Sequence, residues 1–447
     1  MLRLINARLG ASGEVGRIAS ITIEDGLVRE IRWGESADTT PSDVDLRGCW
    51  LFPGLFDLHT HLRDFEESAK ETIHTAAGAA AHGGYTSICA MPNTQPPIDT
   101  PERLEHLLLK AEKEPIHIYA IGALTQGRAG RRLTEMGLMQ AKGAIAFSDD
   151  GDGVADAACM YHALQYARQL GSVIIAHEED RGLSGQAPLA EGEVAYRLGM
   201  LGQPEVAETA MLARDLALVA QTGARLHVAH LSTATSVAMI RAAKRAGLPV
   251  TAEVTPHHLL LTEDACAGYA ALAKVNPPLR TEADRAALWE GLRDGTIDAV
   301  ATDHAPHTAA EKARGFIDAP FGAVGLETAF PLLFTYGVAT GLLPLARLLD
   351  ALTVAPARCL GLPFPGVQPG APADLFLYDP KIESEVDPST FLSRATNTPF
   401  AGWRCQGQVI ATLCGGRMVY CQKDHAIAEA LAQHLGEAGV STARKAW

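Results

Sequence analysis

Two rhythms of apolar and polar positions divide this chain. Near the N-terminus the alternation is that of strands. "ITIEDGLVREI" (21–31) sets two β-like runs around Asp25-Gly26, a dipeptide suited to a tight hairpin. The same rhythm returns at the far end, in "ADLFLYDP" (373–380) and in "VIATLCGGRMVY" (409–420), which turns at Gly415-Gly416. Two β-rich ends predict one small β-rich domain, residues 1–52 together with 362–447. Its tail from 424 reads as a short helix, "AIAEALAQHLGEAG", and a frayed end.

The middle, residues 53–361, keeps a different period. Short apolar runs at 55–59, 86–91, 117–121, 144–148, 173–177, 225–230, 249–255 and 298–302 alternate with Ala/Leu-rich helical stretches such as "AACMYHALQYARQL" and "ATSVAMIRAAKRAG". Eight β/α units over about 300 residues predict an α/β fold, a (β/α)₈ TIM-like barrel. An open doubly wound sheet fits less well, because no Gly-rich phosphate loop follows the first run. The uncharged stretch "AFPLLFTYGVATGLLPLA" (329–346) has the length of a membrane span. Its two prolines and two glycines predict a buried helix stopping near Gly341 instead.

Charge and cysteine usage narrow the function. The formal net charge is −14, which argues against a nucleic-acid partner and obliges any anionic substrate to find local cations. The eight cysteines are scattered without a CxxC pair, and "MLRLINARLG" lacks the apolar core of a signal peptide. The expectation is a soluble, cytoplasmic protein with no membrane partner.

Chemistry gathers where the middle runs end. "FDLHTHLRD" (56–64) offers His59, His61 and Arg63, which alternation along an extended chain would project to one side. Asn93 follows the second run, Asp149 and Asp150 the fourth, His177 the fifth, His230 the sixth, and Asp303 the eighth, with His307 four residues on. The C-terminal strand ends of a barrel converge on one face, where active sites are built. A single histidine there is more often a hydrogen-bonded core residue. Five strand ends with metal-capable side chains and no cysteine favour an N/O set suited to zinc. Of the two adjacent aspartates, Asp150 is the better bridging candidate, and Asp149 reads as its competitor or as an exposed turn residue.

"DLHTHLRD", "MPNTQPPID", "FSDDG", "AHEED", "HVAHLST", "EVTPHHLLL", "NPPLR" and "ATDHAPH" occur in that order. Together they resemble the dihydroorotase family of amidohydrolases, in the long form with a barrel and a β domain, from about residue 1 to 420. The resemblance implies zinc-dependent, reversible cyclisation of N-carbamoyl-L-aspartate to L-dihydroorotate in de novo pyrimidine (UMP) biosynthesis. It makes His59 and His61 ligands of one zinc and His177 and His230 ligands of a second. Asp150 would bridge the two, and Asp303 would be both ligand and proton-transfer residue. His61, Arg63, Asn93, Asn276 and His307 would bind substrate, with the Phe321-Gly322 backbone closing the pocket. The expected assembly is a homo-oligomer, a dimer, with association with aspartate transcarbamoylase as a further possibility.

One departure stands out: Phe65-Glu66 replaces the family's usual Pro-Gly. His257 and His258 read as supporting residues, His304 and Cys89 as packing. The competing readings are another cyclic amidase (dihydropyrimidinase, hydantoinase or allantoinase) or an inactive scaffold of aspartate transcarbamoylase. The amidases generally carry a fourth-strand lysine, but none lies here between Lys142 and Lys244. Scaffold chains usually lose ligands, whereas this one keeps every position. The zinc-deaminase signature is missing.

Overall fold

The eight apolar runs of the middle region become eight parallel strands in a computed structural model that describes residues 1–10, 15–36, 40 and 43–435. They are β1 (Leu55–Thr60), β2 (Tyr85–Ala90), β3 (His117–Ala123), β4 (Ala144–Ser148), β5 (Val173–Ala176), β6 (Arg225–Val228), β7 (Val250–Val254) and β8 (Ala299–Val300). Each pairs with the next in chain order. Buried on both faces, such strands read as continuous apolar runs rather than as alternation.

The ring is brought together where β8 meets β1. Just past β8, His304 bridges Thr60, and the buried Asp57 carboxylate accepts hydrogen bonds from Thr302 N (3.2 Å) and Thr302 Oγ1 (2.5 Å). Helices pack outside, and polar caps mark where they begin. Thr72, Thr100, Asp156, Thr233 and Thr281 each accept a first-turn N–H. The 329–346 stretch is a helix, Ala329–Leu333, continued as a π turn to Val338, and Gly341 is left-handed beyond it. No helix among the described residues is long and apolar enough to cross a membrane.

Both ends of the chain supply the second sheet. Its order is 417–421, 404–414, 375–385, 50–53, 2–9, 17–24, 27–33, with 43–45 beside 2–9. Pairing is mostly antiparallel, with 2–9 parallel to 43–45 and 50–53. Helix Ala426–Leu435 packs on this sheet through Ile427 and Leu431, while the expected frayed end at 436–447 lies outside the described residues. The sheet meets the end of the barrel opposite the strand C-termini. There His117 Nε2 bonds Asp374 Oδ2 at 3.1 Å, and Asp374 Oδ1 accepts from Gly415 N at 2.6 Å.

One glycine is demanded by this packing. Gly407 has φ +97°, and a Cβ on it would come within 2.4 Å of the fully buried Tyr378 ring. Gly407→Ala is therefore expected to lose roughly 1–3 kcal/mol through overpacking, with backbone strain in addition. Gly48→Ala separates the two terms, since Gly48 (φ +77°) has nothing within 4 Å. Thermal melts of both variants should show the larger fall for Gly407→Ala; equal falls would mean that Tyr378 does not constrain the position.

Candidate metal centre and substrate pocket

β1 delivers His59 within the strand and His61 just past its end. β4 is followed by Asp150, β5 by His177, β6 by His230 and β8 by Asp303. These six side chains converge and are all buried. Asp150 stands between two groups. Its Oδ2 lies 3.4 Å from His59 Nε2 and 3.6 Å from His61 Nε2, and its Oδ1 lies 3.5 Å from His230 Nε2 and 3.7 Å from His177 Nδ1. Asp303 Oδ1 joins the first group, 3.6 Å from His59 Nε2 and 2.8 Å from His61 Nε2.

These separations fit a metal. Ligand bonds of about 2.0–2.2 Å to a tetrahedral ion put neighbouring donors roughly 3.3–3.6 Å apart. Two pairs are tighter, His61–Asp303 at 2.8 Å and His177–His230 at 3.0 Å, which are hydrogen-bond lengths. His59 Nε2 and Asp150 Oδ1 are buried with no hydrogen-bond partner, although buried polar atoms are normally satisfied.

The outer nitrogens explain why the inner ones face the centre. Glu253 Oε1 holds His59 Nδ1 at 2.6 Å, Asn93 Oδ1 holds His61 Nδ1 at 2.8 Å, and Glu179 Oε2 holds His177 Nε2 at 3.0 Å. Each outer acceptor can accept a hydrogen bond from the ring N–H, an arrangement that would leave the opposite nitrogen's lone pair inward for a bound metal, as in metal sites whose ligands are oriented from behind. Glu253 also accepts from His227 Nε2 (3.1 Å) and from the His230 backbone N (3.2 Å).

Burial opposes every charge here, yet the opposite charges prevail. Asp150 is held well below the carboxylate range beside His59, His177 and His230. Asp303 is lowered by its hydrogen bond to His61 and by His59. His177 is pushed up to about 10 by Asp150 and Glu179. The carboxylates are built to stay ionised and to hold positive charge.

A cavity of about 730 Å³ opens above the centre, lined by Arg63, Asn276 and the Phe321-Gly322 segment among others. Arg63 Nε donates to Pro306 O at 3.3 Å, and its Nη2 lies 3.5 Å from His307 Nε2. It makes no ion pair with Asp64 or Glu66; Asp64 pairs instead with Lys110 at 2.7 Å. Arg63's direction comes from a left-handed turn, not from strand alternation, because Arg63, Asp64 and Phe65 have φ of 54°, 49° and 47°. A proline ring cannot adopt that angle at 65, so this turn differs from a Pro-Gly turn. His230 (φ 30°) and Asp303 (φ 47°) are also left-handed. Strained backbone of this kind clusters at functional sites.

His307 donates from Nε2 to Phe321 O at 2.8 Å. Burial, Arg63 and Lys312 lower its pKa to about 3, so it is neutral. Asn276 is less free than expected, its Nδ2 donating to Glu179 Oε2 at 2.9 Å.

Asp149 is not an exposed turn residue. It is buried, and its Oδ1 accepts from Leu124 N and Thr125 N, both at 2.9 Å. Lys142 precedes β4, half exposed and paired with Glu105 at 3.0 Å, far from any bridging role. His258 is tied to Pro277 O and Thr255 Oγ1, and His304 contacts Glu71 and Gly325 N. Sequence reasoning missed Glu253, Glu179 and Lys274. The "HEED" context of Glu179 was a usable signal, since a carboxylate two residues from a metal-capable histidine can reach it.

A family model described as "Dihydro-orotase-like" matches residues 48–236. A dihydroorotase of Geobacillus sp. (strain WCH70) is 48% identical over 401 residues, 90% of this chain and 94% of its own length. One from Bacillus caldolyticus is 48% identical over 409 residues, 91% of this chain and 96% of its own. Among solved structures, an L-hydantoinase (dihydropyrimidinase) from Arthrobacter aurescens superposes with a TM-score of 0.84 at 29% identity, covering 95% of this chain and 96% of that one. Sharing nearly half its residues with such relatives along nine-tenths of its length, the chain belongs to the dihydroorotase family of amidohydrolases.

Proposed function

We propose that the chain is a zinc-dependent dihydroorotase, interconverting N-carbamoyl-L-aspartate and L-dihydroorotate for pyrimidine synthesis. The observation that carries this reading is the six-donor centre beneath a pocket holding an arginine with no carboxylate partner. His59, His61, Asp150 and Asp303 would hold one zinc, and Asp150, His177 and His230 a second. Bound there, zinc supplies Lewis acidity, which activates water and polarises a carbonyl.

The chain's own residues do the rest. Arg63 presents a planar donor fork to the ring carboxylate, the group that separates dihydroorotate from dihydrouracil. Asn276 in the cavity wall would add a hydrogen bond, and neutral His307, beside Arg63, would fix the Phe321 carbonyl. Asp303 moves the proton. In hydrolysis its carboxylate takes the proton of the attacking water and returns it to the departing amide nitrogen; in cyclisation the protonated form gives it to the departing oxygen. Cyclisation is therefore favoured at lower pH.

The reading extends to a cytoplasmic homodimer and to contact with aspartate transcarbamoylase. The unpaired cysteines suit a reducing compartment; the assemblies rest on resemblance alone. The second reading, a hydantoinase-type amidase, is favoured by the structural neighbour just described, but β4 carries no lysine and Asp150 lies between two donor groups that could each hold an ion. Comparing dihydroorotate with dihydrouracil, before and after prolonged chelation, decides between them. Zinc-restorable activity on dihydroorotate is the expected outcome, and preference for dihydrouracil would overturn it.

Two variants test the division of labour. Asp303→Asn should lose about 10²–10⁴-fold in kcat in both directions while keeping most of its metal. Arg63→Ala should instead weaken dihydroorotate binding, seen in KM, and leave the metal content intact. Near wild-type turnover by Asp303→Asn would pass the proton role to His307 or to a second water.

Glu253 makes a separate prediction. Glu253→Gln offers His59 an amide in place of a carboxylate, which lowers the basicity of the inward nitrogen. Removing a partner of this kind typically costs 10–100-fold in metal affinity. Competition with a chromophoric chelator measures it; unchanged affinity would mean that His59 is held by packing alone.

A further inference from the structure

Two lysines are buried beneath the loop that walls one side of the pocket, and neither forms an ion pair with a carboxylate among the described residues. Lys274, 3% exposed, directs Nζ at three backbone carbonyls, Phe316 O (2.9 Å), Ile317 O (2.7 Å) and Ala319 O (2.7 Å). Lys312, 6% exposed, donates to Ala271 O (3.1 Å), Lys274 O (3.4 Å) and Pro320 O (2.9 Å). Each ammonium has three protons, and all six are used. The return contact is Gly322 N to Lys274 O at 2.9 Å.

Apolar packing anchors this loop at Phe316, which is buried with Ala273 and Val275, but not at Ile317 or Phe321. Ile317 is 68% exposed and Phe321 37%. Phe321 lies over the Lys274 ammonium, ring centre 4.6 Å away, a cation–π contact. The loop's setting reaches the substrate groups through one carbonyl. Phe321 O takes the His307 Nε2 proton, and Arg63 stands 3.5 Å from that nitrogen. Displacing Phe321 would therefore disturb both His307 and the arginine.

Charge gives a second reason to single out these lysines. Burying an ammonium is costly: burial lowers the pKa of both, and burial with Lys274 alongside brings Lys312 to about 7, so the lasting charge is that of Lys274. Carbonyl dipoles satisfy the donors but do not cancel the charge. Asp318, in the same loop and pocket lining, offsets part of the Lys274 charge, and the remainder leaves positive potential at a pocket in a chain of net charge −14.

We propose that Lys274, packed beside Lys312, is a positioning and specificity residue: it sets the 316–322 loop and supplies a positive charge, only partly offset by Asp318, that favours a carboxylate-bearing cyclic amide over a neutral one. The specificity half rests on the dihydroorotase reading; the positioning half does not.

The test uses the metal-replete full chain and Lys274→Met, Lys274→Arg and Lys312→Met. Steady-state kinetics with dihydroorotate and amide hydrogen exchange across 315–323 are measured for each. Lys274→Met should raise KM about 10-fold or more, leave kcat nearly unchanged, and speed exchange in the loop. Lys274→Arg keeps the charge, but a planar fork cannot serve three converging carbonyls. It should speed exchange as well, with a smaller rise in KM. Equal rises in KM for the two variants overturn the charge role, and unchanged loop exchange in both overturns the positioning role. Should Lys274→Met fail to fold, Lys312→Met carries the same readouts. A wild-type chain that does not turn over dihydroorotate would overturn the functional reading and the specificity role with it, while loop exchange still judges the positioning.

Discussion

Everything at the mouth of this barrel depends on keeping two buried carboxylates, Asp150 and Asp303, ionised at the floor of the cavity. A lone buried carboxylate would take up a proton instead. Here inward-facing histidine nitrogens surround the pair at 2.8–3.7 Å, so their charge is held for cations. That requirement selects the architecture. Five strands must end within a few ångströms of one point, which eight parallel strands drawn together by Asp57 and Thr302 achieve and an open sheet would not. It also requires partners behind the ligands. A histidine free to rotate would offer a proton rather than a lone pair, and Glu253, Asn93 and Glu179 prevent this for three of the four.

This explains which parts were legible in the chain. Strand ends carrying His59, His61, Asp150, His177, His230 and Asp303 stood out because polar residues closing apolar runs are costly, and because the pattern repeated. The barrel was legible for the same reason, since strands buried on both faces leave unbroken apolar runs at regular spacing. Glu253 was not. It lies inside β7 with a second polar residue, Thr251, and its partner His59 is 194 positions away, a distance no local pattern encodes. Asp149, expected as a competitor of Asp150 or an exposed turn residue, is buried instead. Successive residues diverge, and Asp149 turns toward the Leu124 and Thr125 amides, which need an acceptor.

Asn93 and Asn276 show how one residue type supports two jobs. The family resemblance implies substrate binding for both, and both line the cavity. In the folded chain Asn93 takes the His61 proton and Asn276 donates to Glu179, which in turn orients His177. An amide can do both, since it offers a carbonyl on one side and two protons on the other. Substrate contact at either residue, as proposed, would therefore be coupled to the orientation of a neighbouring histidine. Recognition and the centre's geometry are not separable modules.

The last constraint is the sign of the pocket. Cations at its rim are neutralised; Arg181, for example, pairs with Asp152 at 2.6 Å. Arg63 instead spends its donors on a carbonyl beside a neutral histidine, and among the described residues it has no carboxylate within ion-pair distance. Its charge faces the same space as the negative centre below. An anionic ring amide entering this cavity must keep its carboxylate toward Arg63 and away from Asp150 and Asp303, which leaves the amide to face the donors. Orientation thus follows from electrostatics before any close fit, and it does so because the carboxylates that might have paired with Arg63 are committed elsewhere: Asp64 to Lys110, and Asp303 to His61.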